Sequence, residues 1–131
     1  MNPSSGHVID TSIIGFYLRG EALVVQKLDA LNQIYISSIT LGELFYGAYR
    51  STNVSQAIHE VEQIEQRCSI LFVDYLTPRF YGNMKMQQQR KGMMLPENDL
   101  WIAAVAQQND LTLIARDHHF MLIDNLKQEQ W

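Results

Sequence analysis

Four short apolar runs, His7 to Asp10, Gln33 to Ile36, Ile70 to Val73 and Thr112 to Ala115, are each followed by a polar or capping residue and then by a helix-period stretch. Such alternation is the signature of βαβ units, and it predicts an α/β fold in which a central parallel sheet is flanked by α-helices in three layers, α/β/α. With 131 residues, 47% of them hydrophobic, the chain is long enough to bury a core of that kind, and residues 1–131 read as a single domain.

The helical segments carry their own punctuation. Leu41, Leu44, Phe45, Ala48 and Tyr49 form one apolar stripe opened by Ser37 or Ser38 as N-cap. A second stripe, Val54, Ile58, Val61 and Ile64, follows the turn residues Ser51 to Asn53, and a third helix spans about Pro78 to Lys91. A fourth begins at Pro96, where proline suits a first helical turn, and is apolar nearly all round from Leu100 to Ala106, so it belongs in the interior. Two shorter helices are expected over Ser12 to Leu18 and Glu21 to Leu31.

Composition removes several classes. The lone Cys68 excludes a disulfide scaffold, and 10% aromatic residues argue against disorder. No stretch approaches the roughly 18 apolar residues of a membrane span. The start Met1 to Gly6 lacks the charged and apolar regions of a signal peptide, so a cytoplasmic location is expected. The net charge of −4 provides no global field for nucleic acid, and any chemistry on nucleic acid must use a local site.

Four carboxylates stand out from the solvated helix faces that hold Glu60, Glu62 and Glu65. Asp10 ends the run Val8-Ile9, Glu43 interrupts Leu41 to Phe45, Asp99 directly precedes the buried stretch from Leu100, and Asp117 follows Ile114-Ala115-Arg116. In an α/β sheet the ligand crevice lies beyond the C-terminal strand ends, where Asp10 and Asp117 project, and Glu43 and Asp99 lie near helix starts that can face it. Gathered carboxylates repel one another unless a cation neutralises them, and all-oxygen ligation selects Mg²⁺, with Mn²⁺ as the alternative, over zinc. The chemistry such a site supports is metal-assisted phosphodiester hydrolysis.

Each acid also has a local explanation. Asp10 can be an N-cap, Glu43 can close a capping box with Thr40, Asp99 can complement a helix dipole, and Asp117 can cap the turn at His118-His119. These explanations account for the acids singly, but not for their common side of one sheet.

The runs Val8-Ile9-Asp10-Thr11-Ser12, Thr40-Leu41-Gly42-Glu43-Leu44 and Asn98-Asp99-Leu100-Trp101, followed by Ile114-Ala115-Arg116-Asp117, resemble the successive motifs of PIN-domain ribonucleases, and most of all the VapC-type toxins of bacterial toxin-antitoxin pairs. The resemblance covers nearly the whole chain. It implies a PIN fold and a Mg²⁺- or Mn²⁺-dependent endoribonuclease with Asp10, Glu43 and Asp99 as the core acidic residues and Asp117 as a fourth, more variable one, all four being catalytic and metal-holding.

On the same resemblance, Ser12 orients Asp10 or a water on the metal, Thr40 holds Glu43 or the site water, and Asn98 gives at most indirect support. Ala115 stands where the family often carries Thr, which removes a hydroxyl from that position. Arg116, beside Asp117, is the first choice for contact with the RNA substrate, ahead of Arg19, Arg50, Arg90 and Lys91. A cognate antitoxin and a homodimer are also implied. Three readings compete with the toxin: a PIN nuclease of RNA processing or DNA cleavage; a non-catalytic PIN-like protein-binding module, which the intact core acids oppose; and a response-regulator-like phosphoacceptor, which should carry a lysine at the end of a late strand, where none occurs between Lys91 and Lys127.

Overall fold

The computed structural model describes residues 6–131, so the leader reading made on Met1 to Gly6 lies, for its first five residues, outside the described residues. The elements follow in the order β1 (His7–Ile9), α1 (Thr11–Leu18), α2 (Ala22–Asp29), β2 (Ile34–Ser37), α3 (Ser38–Tyr49), α4 (Val54–Arg67), β3 (Ser69–Leu71), α5 (Thr77–Arg90), α6 (Glu97–Gln108), β4 (Thr112–Ala115), a 3-10 turn (His118–Leu122) and β5 (Gln128–Gln130). The five strands form one parallel sheet in the order β3-β2-β1-β4-β5.

Alternation along the strands divides the interior in two. In β1, Val8 joins the core under α5 and α6 with Leu100, Ala103, Leu113 and Phe120, while Ile9 joins the opposite core with Ile13, Val24, Leu44 and Val61 from α1 to α4. Successive side chains of a strand face opposite sides of its sheet, so a strand buried on both sides reads as a continuous apolar run. Leu113 and Ile114 of β4 divide in the same way, and both are fully buried.

The helix ends follow local chemistry. Ser37 caps α3 by accepting the Thr40 N–H at 3.0 Å, and Asn53 caps α4 by accepting the Gln56 N–H at 3.2 Å. Pro96 stands as the N-cap residue of α6, one position before the first turn. Gly20, at φ +78°, ends α1 with the reversed turn that glycine adopts freely, its N–H bonding the Tyr17 carbonyl. Among the described residues no helix is long and apolar enough to cross a membrane.

Two expectations are corrected at the sheet edges. The third strand is Ser69–Leu71, and Phe72 and Val73 leave the sheet exposed, because its pairing with β2 ends at Ser37↔Leu71, where the chain of β2 turns into α3. The fifth strand, Gln128–Gln130, has no apolar pattern to announce it; its backbone pairs with β4 on one side while its side chains stay largely in solvent.

This order places the site. From β1 the chain moves outward through β2 to β3, then crosses back to place β4 on the other side of β1. The strand order therefore reverses between β1 and β4, and the crevice beyond their C-terminal ends is the place where open α/β sheets bind ligands.

Candidate active site

Asp10 lies at the end of β1 and Asp117 two residues beyond β4, so the reversal point brings them to the same crevice. Glu43 reaches it from the second turn of α3 and Asp99 from the first turn of α6. Together with Thr11, Ser12 and Phe120 these four acids line a cleft of about 300 Å³. None of its lining residues is Lys or Arg.

The local explanations can now be separated. Asp10 occupies the N-cap position of α1, but its side chain makes no capping hydrogen bond; its carbonyl starts the helix, and its N–H is fixed to the Ile114 carbonyl at 2.9 Å. The carboxylate instead accepts the Ser12 hydroxyl at 2.7 Å. Glu43 is no capping-box residue, because α3 starts three residues before Thr40 would require. Asp117 does cap, accepting the His119 N–H at 2.9 Å, and it lines the cleft as well.

Burial and crowding act on the acids unequally. Burial raises the Asp10 carboxyl above its usual value, against the Ser12 hydroxyl and the nearby Thr11 and Ser12 N–H groups, with Glu43 adding repulsion. Asp99 is pushed up to about 6, first by burial and then by Asp10, Glu43 and Asp117, although it stands at a helix N-terminus that favours its anion. Asp117 is lowered, first by the His119 backbone N–H and also by the imidazole, whose Nδ1 lies 2.9 Å from its carboxylate.

A hydroxyl chain that the sequence reading overlooked holds Glu43. The Thr11 hydroxyl lies 2.7 Å from Glu43 Oε1 and 3.0 Å from the Thr40 hydroxyl. It carries a single proton and a carboxylate can only accept, so it donates to Glu43 and accepts from Thr40. Thr40 in turn lies 3.3 Å from Ser37 Oγ. Thr40 is fully buried, so it acts on Glu43 through Thr11 and cannot touch a water in the cleft. The signal was present as the hydroxyl next to Asp10. Asn98 completes the hold from the other side, donating from Nδ2 to Glu43 Oε2 at 3.4 Å.

Replacing Thr11 by Val keeps its shape and removes the proton given to Glu43. A hydrogen bond to a charged group is worth about 1.5–3 kcal/mol, so turnover should fall roughly tenfold or more while Thr11→Ser retains most of it. Steady-state cleavage rates of the two variants check this, and equal rates would remove Thr11 from the site.

Arg116 is not the free cation expected at the cleft. Its guanidinium grips Glu21 through both terminal nitrogens at 3.0 and 2.5 Å, its Nε donates to the Trp131 carbonyl at 2.6 Å, and its face lies 4.0 Å from the Phe16 ring centre. These contacts fasten the start of α2 and the last residue to the end of β4, and they leave no fork for a phosphate. Lys91 is likewise paired, with Asp124 at 2.7 Å. Arg50 lies 5.2 Å from the Tyr46 ring, and Tyr46 borders a second cavity next to the cleft.

The donor set is oxygen only and negatively charged, which fits a hard divalent ion. Among the described residues no three acidic or imidazole groups converge closely enough to ligate one ion directly.

The PIN domain family model matches residues 7–126. Ribonuclease VapC2 of Haemophilus influenzae is 30% identical over 130 residues, which cover 95% of this chain and 97% of that protein. The crystal structure of VapBC2 from Rickettsia felis bound to a DNA fragment from their promoter contains a chain that superposes with a TM-score of 0.89 at 28% identity, covering 95% of this chain and 98% of that one. VapBC-5 from Mycobacterium tuberculosis, described as a member of the VapBC family of toxin-antitoxin systems, shares the fold at 24% identity with a TM-score of 0.71, covering 98% of each chain. With a three-layer parallel sheet, its acids at the point of strand reversal and a family match over nearly its full length, this chain belongs to the PIN-domain family and, within it, stands with the VapC ribonucleases.

Proposed function

We propose that this chain is a divalent-metal-dependent endoribonuclease and the toxin of a toxin-antitoxin pair, acting as a single catalytic domain. The observation that carries the reading is the convergence of Asp10, Glu43, Asp99 and Asp117, from four separate elements, on one cleft that holds no Lys or Arg. Asp10, Asp99 and Asp117 would hold the ion, Mg²⁺ or Mn²⁺. When bound, the ion polarises the phosphoryl group and lowers the pKa of the attacking water. Glu43, held by Thr11 and Asn98, takes the proton of that water as its oxygen attacks phosphorus and the bond to the leaving oxygen breaks. Ser12 keeps Asp10 facing the cleft.

An antitoxin segment fits the same surface. A groove of about 230 Å³ between α1, α3 and α4 is lined by Leu18, Leu44, Gly47, Ala48, Ala57 and Val61, and its wall includes Glu43, which it shares with the acidic cleft. An amphipathic segment laid there buries apolar side chains and can deliver one basic residue to the acids, neutralising them in place of the ion. Two copies of the chain complete the assembly, and the exposed Phe72, Tyr75, Met86 and Met94 offer apolar surface for pairing.

The test uses purified protein, freed of any partner, incubated with a pool of cellular RNAs in Mg²⁺ or Mn²⁺, with EDTA and Asp99→Asn as controls. Discrete cleavage that needs both the metal and Asp99 is expected. Equal inertness of two folded proteins would overturn the catalytic reading and favour a protein-binding module.

A further inference from the structure

Beside the acidic cleft lies a larger cavity of about 590 Å³, lined by Thr11, Ser38, Ile39, Gly42, Glu43, Tyr46 and Asn98. Thr11 and Glu43 line both, so the two cavities share a wall. Nothing in the proposed reaction uses the second one. Its volume lies in the range of ligand sites, and its lining combines one aromatic ring, one amide and hydroxyl groups.

Four features point to the same kind of occupant. Ile39, Gly42, Glu43 and Tyr46 recur at i, i+3, i+4 and i+7 of α3, so they share one helix face. At the end of that face Tyr46 is 63% exposed, an uncommon position for an aromatic ring with no core to fill, and the Arg50 guanidinium lies 5.2 Å from it. Gly42 lines the same cavity, and a Cβ built there meets nothing within 4 Å, so the absence of a side chain keeps this part of the cavity open. Asn98, which also lines the cavity, spends one N–H on Glu43, and among the described residues its carbonyl and second N–H have no other partner.

We propose that this cavity is a nucleobase subsite: it receives the unstacked base of the RNA nucleotide next to the bond being cut, with Tyr46 as the stacking surface, Asn98 reading the base edge and Arg50 meeting a neighbouring phosphate. Single-stranded RNA is recognised by this combination of aromatic stacking and edge contacts, and a guanidinium beside the ring offsets the repulsion that an acidic protein exerts on a polyanion. The inference rests on the ribonuclease reading and deepens it. A phosphate in the acidic cleft places the adjoining nucleotide within reach of the shared wall, and the subsite then chooses which bond is presented.

The test measures binding and cleavage separately. Binding is read as the anisotropy of a fluorescein-labelled, single-stranded hexaribonucleotide of mixed sequence, with Ca²⁺ in place of Mg²⁺; cleavage is read as KM and kcat on the same RNA in Mg²⁺. Tyr46→Ala should weaken binding and raise KM by about tenfold, with kcat changed far less, and Tyr46→Phe should recover most of the loss. Gly42→Leu fills the cavity while improving helix propensity, so a folded protein with similarly weakened binding is expected. Tyr49→Ala, on the same helix but outside the cavity, should bind as the unaltered protein does. Unchanged binding in Tyr46→Ala would overturn the proposal even where cleavage proceeds normally, and so would a loss that accompanies a change of oligomeric state in sedimentation, which would give this face to a second copy. Should no RNA be cut at all, the binding arm still decides the subsite, and the failure belongs to the catalytic reading.

Discussion

Asp99→Asn should abolish cleavage and, in the absence of metal, make the protein more stable. The carboxyl of Asp99 is raised from 3.8 to about 6 in the folded chain, so the folded state holds its proton more tightly than the unfolded one. Its contribution favours folding fully below pH 3.8 and is lost as pH rises through about 6. At pH 7.5 the ionised group is therefore a burden, on the order of 1–2 kcal/mol once solvent screening of a half-buried site is allowed for. Asparagine removes that charge and relieves Asp10 of its repulsion. Thermal denaturation at pH 7.5 should show the variant melting on the order of 5 °C higher, and the gap should close as pH falls below 6, where the natural residue takes up its proton. Cleavage should fall by at least about 100-fold. A variant less stable than the natural protein at pH 7.5 would mean that the acids do not repel one another as placed.

Phe120 should be the side chain whose loss costs the most stability within reach of the site. It is 1% exposed, packs with Leu113, Ile123 and Leu126, and also lines the acidic cleft. Its carbonyl accepts Gln128 Nε2 at 2.7 Å, tying the 3-10 turn to β5. Truncation of a buried phenylalanine costs about 3–5 kcal/mol, a large part of the roughly 5–15 kcal/mol that holds a typical domain together. Phe120→Ala should therefore shift the urea midpoint strongly, whereas Phe120→Leu, which keeps most of the volume, should cost about 1 kcal/mol. The same ring supplies part of the apolar wall beside Asp99. A small effect of Phe120→Ala on the midpoint would show that the wall is not packed.

What the sequence disclosed and what it withheld divide along physical lines. The alternation of apolar runs and helical stripes was sufficient for β1, β2 and β4, because strands buried on both faces must be apolar throughout. The strand Gln128–Gln130 is held by its backbone alone, and backbone pairing leaves no mark on residue type at an exposed edge. Glu43 was ambiguous because a capping box and a catalytic acid share one spacing. Only the start of α3 at Ser38, capped by Ser37, separates them. Arg116 was misjudged because adjacency to Asp117 along an extended chain says nothing of direction: neighbouring side chains leave on opposite sides, and that of Arg116 meets Glu21 and Trp131. Thr11 needed the third dimension, since its partner lies 32 residues away.

The central proposal is that the four carboxylates serve one divalent ion, and the melting temperature of the metal-free protein titrated with Mn²⁺ tests that most directly. A ligand that binds only the folded state stabilises it by about 2.7 kcal/mol at a concentration 100 times its Kd, which is several degrees for a chain of this size. The natural protein should gain those degrees, and Asp99→Asn, already more stable without metal, should gain far fewer. An equal rise in both proteins, or none in the natural one, would contradict a site built from these acids.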